Sequence, residues 1–197
     1  PEAIILRSFK MHDMEIPESL LAVGRADAGV NNIPVDKLTE MGIPVFNAPG
    51  ANANAVKELV VAGLLLAFRN ICDAWDYVRN LDSSDAAAMS KSVEEGKKRY
   101  AGYELPGRTI GVVGLGAIGR SVANVCLNLG MNVVGYDPSL TVEGAWKLSS
   151  EVERANSLEV LLNKVDVVTF HVPLIDITRN MINEERVALM NPGAVIL

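Results

Sequence analysis

The apolar run Ile110-Gly111-Val112-Val113 leads directly into Gly114-Leu115-Gly116-Ala117-Ile118-Gly119, followed by Val122, Val125, Cys126 and Leu129 on one helical face. A G-x-G-x-x-G run alone is weak evidence, because glycines recur in any turn; between a strand and a helix it specifies a strand–turn–helix unit. Gly114 permits the tight turn, Gly116 leaves room for phosphate to approach the backbone, and Gly119 lets the helix pack close to the sheet. The Ala117 and Ile118 N–H groups open that helix, where free donors and the helix dipole favour phosphate oxygens. The next apolar run, Val133–Tyr136, ends on Asp137, about 20 residues past Gly119, the distance at which a carboxylate meets the ribose hydroxyls of a dinucleotide. That carboxylate repels a 2′-phosphate and no Arg follows it closely, so the expected cofactor is NAD rather than NADP.

The rest of the composition limits the alternatives. The chain has 197 residues, with 49% hydrophobic and 21% charged, enough for one large or two small globular domains. Its net charge of −6 argues against a nucleic-acid partner, which calls for a basic face. Leu59–Phe68, the longest apolar run, is about half the length of a membrane span. Cys72 and Cys126 have no Cys or His at ligand spacing, so no metal site is expected, and both read as buried free thiols. With no signal-peptide pattern at the start, the expected setting is cytoplasmic. His12 reads as inert surface, and Glu94–Arg99 as a solvated charged face.

Strand-like runs alternate with helical patterns, which predicts an α/β chain with parallel sheets. Strands are expected at Ala3–Leu6, Leu20–Val23, Pro44–Phe46, Thr109–Val113, Asn132–Tyr136, Val165–Phe170 and from Ala194. Helical patterns cover Ile16–Leu20, Val35–Met41, Ala53–Arg69, Ile71–Leu81, Ala117–Leu129, Ser157–Asn163 and Asn183–Met190. The polar stretch Asp82–Gly107 reads as a linker, with the domain boundary between Ser83 and Pro106. The resulting division is a substrate domain over 1–98 and a dinucleotide domain over 99–197.

Several segments resemble the D-isomer-specific 2-hydroxyacid dehydrogenase family: Glu104–Gly119, Tyr136-Asp137-Pro138, Asp166–Leu174 with His171-Val172-Pro173, and Met190–Leu197. The resemblance implies a Rossmann-type parallel-sheet cofactor domain beside a smaller flavodoxin-like α/β substrate domain. It places Pro138, His171, Val172 and Pro173 against NAD and makes His171 a cofactor contact rather than the general base. In the first half, Leu6-Arg7-Ser8, Val23-Gly24-Arg25-Ala26 and Asn47–Asn52 are similar to members of the family that oxidise D-3-phosphoglycerate in the first step of serine biosynthesis.

That similarity implies a small phosphorylated hydroxy acid as substrate, with Arg7, Ser8, Arg25 and Asn52 facing it. The backbone at Ala28, Gly29 and Val30 would receive its carboxylate. Two Arg residues following strand runs suit an anion, since the guanidinium is a planar fork for carboxylate or phosphate. Asp27 departs from the family pattern, which has Gly there, and Asn31 stands where Asp is common. An extra carboxylate at Asp27 should weaken anion binding unless its side chain points away. The resemblance also implies a segment of a longer polypeptide, with the family's catalytic Arg, Glu and His beyond residue 197, so no catalytic residue is assigned within the chain. A homodimer or higher homo-oligomer is implied as well. Two alternatives remain: a glyoxylate, hydroxypyruvate or lactate dehydrogenase, and a non-catalytic NAD-sensing module resembling the corepressors of this fold.

Overall fold

Runs of Val and Ile form the strands and amphipathic segments form the helices of a computed structural model that describes residues 1–82 and 84–197. Ser83, at one end of the expected boundary segment, lies outside the described residues. The contacts divide the chain into two units, Pro1–Asn54 and Ala55–Leu197.

The first unit is a parallel three-stranded sheet of β1 (Ala3–Leu6), β2 (Ala22–Arg25) and β3 (Val45–Asn47), in that order. The helix α1 (Val35–Glu40) crosses between β2 and β3. Its core holds Leu6, Met11, Leu20, Val23, Ile33 and Leu38. Ile16–Leu20 is not helical as the pattern suggested. It forms a turn in which the Leu20 N–H donates to the Pro17 carbonyl at 3.0 Å. Ile16 and Leu20 are both buried, so their spacing reflects core packing without a helix.

The second unit begins within α2 (Ala53–Phe68), followed by α3 (Ile71–Arg79) and α4 (Ala86–Gly96). Its sheet contains β4 (Thr109–Val113), β5 (Asn132–Tyr136), β6 (Glu153–Arg154), β7 (Val167–Phe170) and β8 (Val195–Ile196), ordered β6-β5-β4-β7-β8 and parallel throughout. The helices α5 (Ala117–Asn128), α6 (Val142–Trp146), α7 (Leu158–Leu162) and α8 (Glu184–Val187) lie between these strands along the chain. Chain order reverses between β4 and β7, the place where open α/β sheets bind ligands at the strands' carboxyl ends. Both faces of β4 are covered, which is why its sequence is apolar without alternation. Ile110 and Val112 pack with α2 and α5, and Val113 packs with α7.

The contacts divide at 54/55, because Leu64 and Phe68 of α2 are buried in the core built on β4 and β5. Asp82–Gly107 is also more than a linker. The Asp85 carboxylate caps α4 by accepting the Ala87 and Ala88 N–H groups at 2.8 and 3.2 Å. An Asp ahead of three Ala is a helix start, and the surrounding polarity obscured it. The charged run Glu94–Arg99 is exposed except at Gly96, and Lys97 pairs with Glu94. His12 is exposed.

Candidate functional site

In the second unit the glycine turn rises from the end of β4. Gly114 has φ +87°, and a Cβ there would lie 2.9 Å from the His171 backbone. Its N–H donates to the Tyr136 carbonyl at 2.9 Å, joining the turn to β5. A Cβ on Gly119 would approach the Gly114 carbonyl oxygen to 1.8 Å, so helix and turn touch backbone to backbone. A Cβ on Gly116 would meet nothing within 4 Å, leaving open space over the loop. The Ala117 and Ile118 N–H groups form no backbone hydrogen bond among the described residues, as expected for the first turn of a helix.

A cavity of about 460 Å³ opens here. It brings together Gly114, Gly116, Asp137 and Pro138 with His171, Val172 and Pro173 at the end of β7. Ala117, Ile118 and Gly119 are not in its wall; Gly119 is buried and Ile118 packs on the core. A hollow of about 490 Å³ lies at the opposite, amino ends of the strands, beside the Arg108–Asp166 pair at 3.4 Å, and the glycine turn does not line it.

Sequence reasoning missed how tightly Asp137 is engaged. One carboxylate oxygen accepts the Leu115 N–H and the other the Ser139 N–H, each at 2.8 Å. Asp-Pro-Ser is a recognisable Asx turn, which predicts the second bond but not the first. Arg120 donates to the Leu115 carbonyl at 2.8 Å, so both polar groups of that loop peptide are pinned. An Arg also lines the cavity from far along the chain. Arg186, however, is spent on Glu159 at 3.0 and 3.1 Å and on the Met181 carbonyl at 3.1 Å. It is therefore no free cation for a 2′-phosphate, and NAD remains the fit.

Burial pushes the His171 imidazole below its ordinary 6.5, so it stands neutral at pH 7. Its Nε2 lies 3.1 Å from the Thr169 hydroxyl. As pH falls below about 6.5, the unfolded chain takes up this proton before the folded one, so acid destabilises the fold. His171→Gln should therefore flatten the loss of urea midpoint between about pH 7 and pH 5.5. An unchanged slope would show that His171 does not set it. Burial likewise pushes the Cys126 thiol up to about 11, whereas Cys72 is exposed, contrary to the expectation that both are buried.

In the first unit the carboxyl ends of β1, β2 and β3 carry Arg7, Arg25 and Asn47. Arg7 and Ser8 are exposed, and the Arg7 guanidinium has no partner among the described residues. Arg25 Nε donates to the Arg7 carbonyl at 3.2 Å and Nη1 to the Asn31 side-chain oxygen at 2.9 Å. Asp27 does not point away, since its carboxylate faces both Arg25 and the Ala28 N–H. Asn47, unflagged by the sequence, donates to the Ala28 carbonyl at 2.6 Å and fixes the exposed Ala28-Gly29 loop. Buried Asn32 bridges the Arg7 and Phe9 carbonyls at 3.1 and 2.7 Å. Asn52 sits in the turn before α2, and no hydrogen bond joins its side chain to this cluster among the described residues.

No helix is long and apolar enough to cross a membrane, and no group of three or more His, Cys, Asp or Glu could hold a metal ion, among the described residues.

Residues 63–197 match the family model described as D-isomer specific 2-hydroxyacid dehydrogenase, NAD binding domain. Over 184 residues the chain is 40% identical to a D-3-phosphoglycerate dehydrogenase of Methanocaldococcus jannaschii, matching 93% of this chain and 32% of that one. It is 35% identical to a hydroxypyruvate reductase of Thermotoga maritima, over 93% of this chain and 54% of that one. Among solved structures, the holo form of Rhodotorula graminis D-mandelate dehydrogenase superposes with a TM-score of 0.81 at 28% identity, covering 99% of this chain and 58% of that one. A D-lactate dehydrogenase of Aquifex aeolicus complexed with NAD and lactic acid gives 0.77 at 28%, covering 99% and 55%. The chain thus spans between about a third and just over half the length of these relatives. With the family's NAD-binding domain matched over 63–197 and the glycine turn, Asp137 and the β7 end gathered around one cavity, the chain belongs to the D-isomer specific 2-hydroxyacid dehydrogenase family.

Proposed function

We propose that the full-length protein carrying this chain is an NAD-dependent dehydrogenase that oxidises D-3-phosphoglycerate to 3-phosphohydroxypyruvate, the first step of serine biosynthesis. The observation carrying this reading is the Arg7 guanidinium at the end of β1, without a partner among the described residues, beside Arg25 at the end of β2. Two guanidinium groups at the carboxyl edge of a parallel sheet suit a substrate with both a phosphate and a carboxylate. The 40% identity to a phosphoglycerate dehydrogenase supports the same substrate.

In this reading, bound NAD would supply the hydride acceptor for C2 of the hydroxy acid. The Ala117 and Ile118 N–H groups would hold the pyrophosphate, and the Asp137 carboxylate would accept hydrogen bonds from the ribose hydroxyls. Pro138, Val172 and Pro173 wall the pocket against water, with His171 presented as a neutral ring. Arg7 and Ser8 donate to the substrate, Ala28 and Gly29 offer backbone N–H groups, and Asn52 completes the donor set. The proton acceptor and the group polarising the C2 oxygen are not assigned to any of these residues. A homodimer or higher oligomer belongs to this reading, since Leu59, Trp75 and Val78 on α2 and α3 are exposed apolar side chains suited to a subunit interface.

The test is reduction of 3-phosphohydroxypyruvate, glyoxylate and pyruvate by NADH in the full-length protein. Preference for 3-phosphohydroxypyruvate is expected, with kcat/KM for it falling roughly 100-fold in Arg7→Ala, as when a hydrogen bond to a charged group is lost. Equal rates on all three substrates would overturn the assignment. One observation favours hydroxypyruvate or glyoxylate instead: Asp27 lies beside Arg25 and offsets one of the two positive charges. NAD binding with no turnover of any hydroxy acid would point to an NAD-sensing module.

A further inference from the structure

We propose that Asp27 is a specificity-determining residue whose own carboxylate occupies the anion receptor of the 25–31 loop, so that a substrate carboxylate binds only by displacing it. This rests on the reading of that loop as the substrate's anion site. One Asp27 oxygen accepts the Ala28 N–H at 2.7 Å, and the other lies 3.6 Å from Arg25 Nη2. The Arg25 side chain is only 11% exposed, and its remaining nitrogens are held by the Arg7 carbonyl and the Asn31 side chain. A Cβ on Gly29 would meet Arg25 Nη1 at 3.1 Å, so the guanidinium lies against the loop backbone.

The loop therefore holds a carboxylate, its own, through the two donor types a hydroxy-acid carboxylate needs: a backbone N–H and a guanidinium. Asp27 fills the local valence of Arg25 and leaves Arg7 as the unpartnered guanidinium of this cluster among the described residues. An incoming carboxylate meets a like charge at the receptor until Asp27 swings out. A neutral ligand meets the same filled donors but no like-charge repulsion. The loop thus discriminates by charge as well as by shape.

The test follows the Ala28, Gly29 and Val30 amide signals of the 15N-labelled 197-residue chain during titration with D-glycerate and with neutral D-glyceramide. Asp27→Asn keeps the side chain's shape and removes its charge, while Asp27→Gly removes both; a dispersed amide spectrum checks that each variant is folded. D-glycerate should bind about 10-fold tighter to Asp27→Asn and tighter still to Asp27→Gly, as for a hydrogen-bonded charge released from competition. D-glyceramide affinity should rise markedly less. Equal D-glycerate affinity in all three proteins would overturn the role of Asp27 while leaving the loop an anion site. An equal gain for D-glyceramide would also overturn it, by showing a merely structural effect. Absence of loop shifts in every protein would overturn both the proposal and the reading of the loop.

Discussion

Gly119→Ala should lower stability by about 3 kcal/mol and weaken NAD binding by roughly 100-fold. The added methyl would lie 1.8 Å from the Gly114 carbonyl oxygen, and that oxygen belongs to backbone held at φ +87°. No rotamer relieves such a contact, so either α5 moves off β4 or the turn opens. Either movement displaces the Ala117 and Ile118 N–H groups, and a displacement of about 1 Å is enough to spoil a positioned contact. Gly116→Ala is the contrasting variant, because its methyl meets no protein atom within 4 Å. It should cost less than about 1 kcal/mol, the loss of a favourable N-cap, yet still obstruct the approach of a pyrophosphate. Urea denaturation with calorimetric NAD titration separates the two effects. A Gly119→Ala protein with unchanged midpoint and affinity would show that this close approach is not needed.

Asp137→Ala is the second large effect: NAD affinity should fall about 10- to 100-fold, the range for hydrogen bonds to a charged group. Its oxygens already hold the Leu115 and Ser139 N–H groups, so the substitution frees the glycine turn as well as removing the proposed ribose acceptor. Discrimination against NADP should relax as well, because the like-charge repulsion of the 2′-phosphate is gone. Asp137→Asn keeps one acceptor oxygen and loses the charge. It should recover part of the NAD affinity but not the discrimination. Calorimetry with both dinucleotides measures the two quantities. Unchanged NAD affinity in Asp137→Ala would show that the carboxylate does not hold the ribose.

Legibility differed between the two halves of the chain because their signals have different physical ranges. Gly114, Gly116, Gly119 and Asp137 are tied to local geometry: a turn, a helix start and a strand end at fixed spacing. Their placement could be read in order along the chain. β1 was likewise clear, whereas β2 begins at Ala22 rather than Leu20, because burial of Leu20 in a turn imitates a strand position. Residues in α6 and β6 gave no signal: the end residues Val142 and Trp146 of α6 are exposed, so no buried face patterns it, and Glu153-Arg154 has no apolar residue.

The proposed substrate cluster was legible as residue types but not as a network. That Arg25 spends its fork on Asp27, Asn31 and the Arg7 carbonyl depends on where three strand ends converge, and side-chain direction there is set by packing. The position of α2 is a similar case. Its apolar pattern announces a helix, yet its buried face fits the core of the second unit, a non-local fact that moves the contact boundary to 54/55.

The sequence by itself determined the parallel α/β class, the dinucleotide turn and the acidic strand end, because each follows from backbone sterics and short-range spacing. Only the tertiary structure decided that Asp137 also clamps Leu115, that Arg186 is neutralised by Glu159, and that Asp27 turns inward to Arg25. Each of these is a contact between charged or polar groups whose partner is chosen by the packing of separate elements.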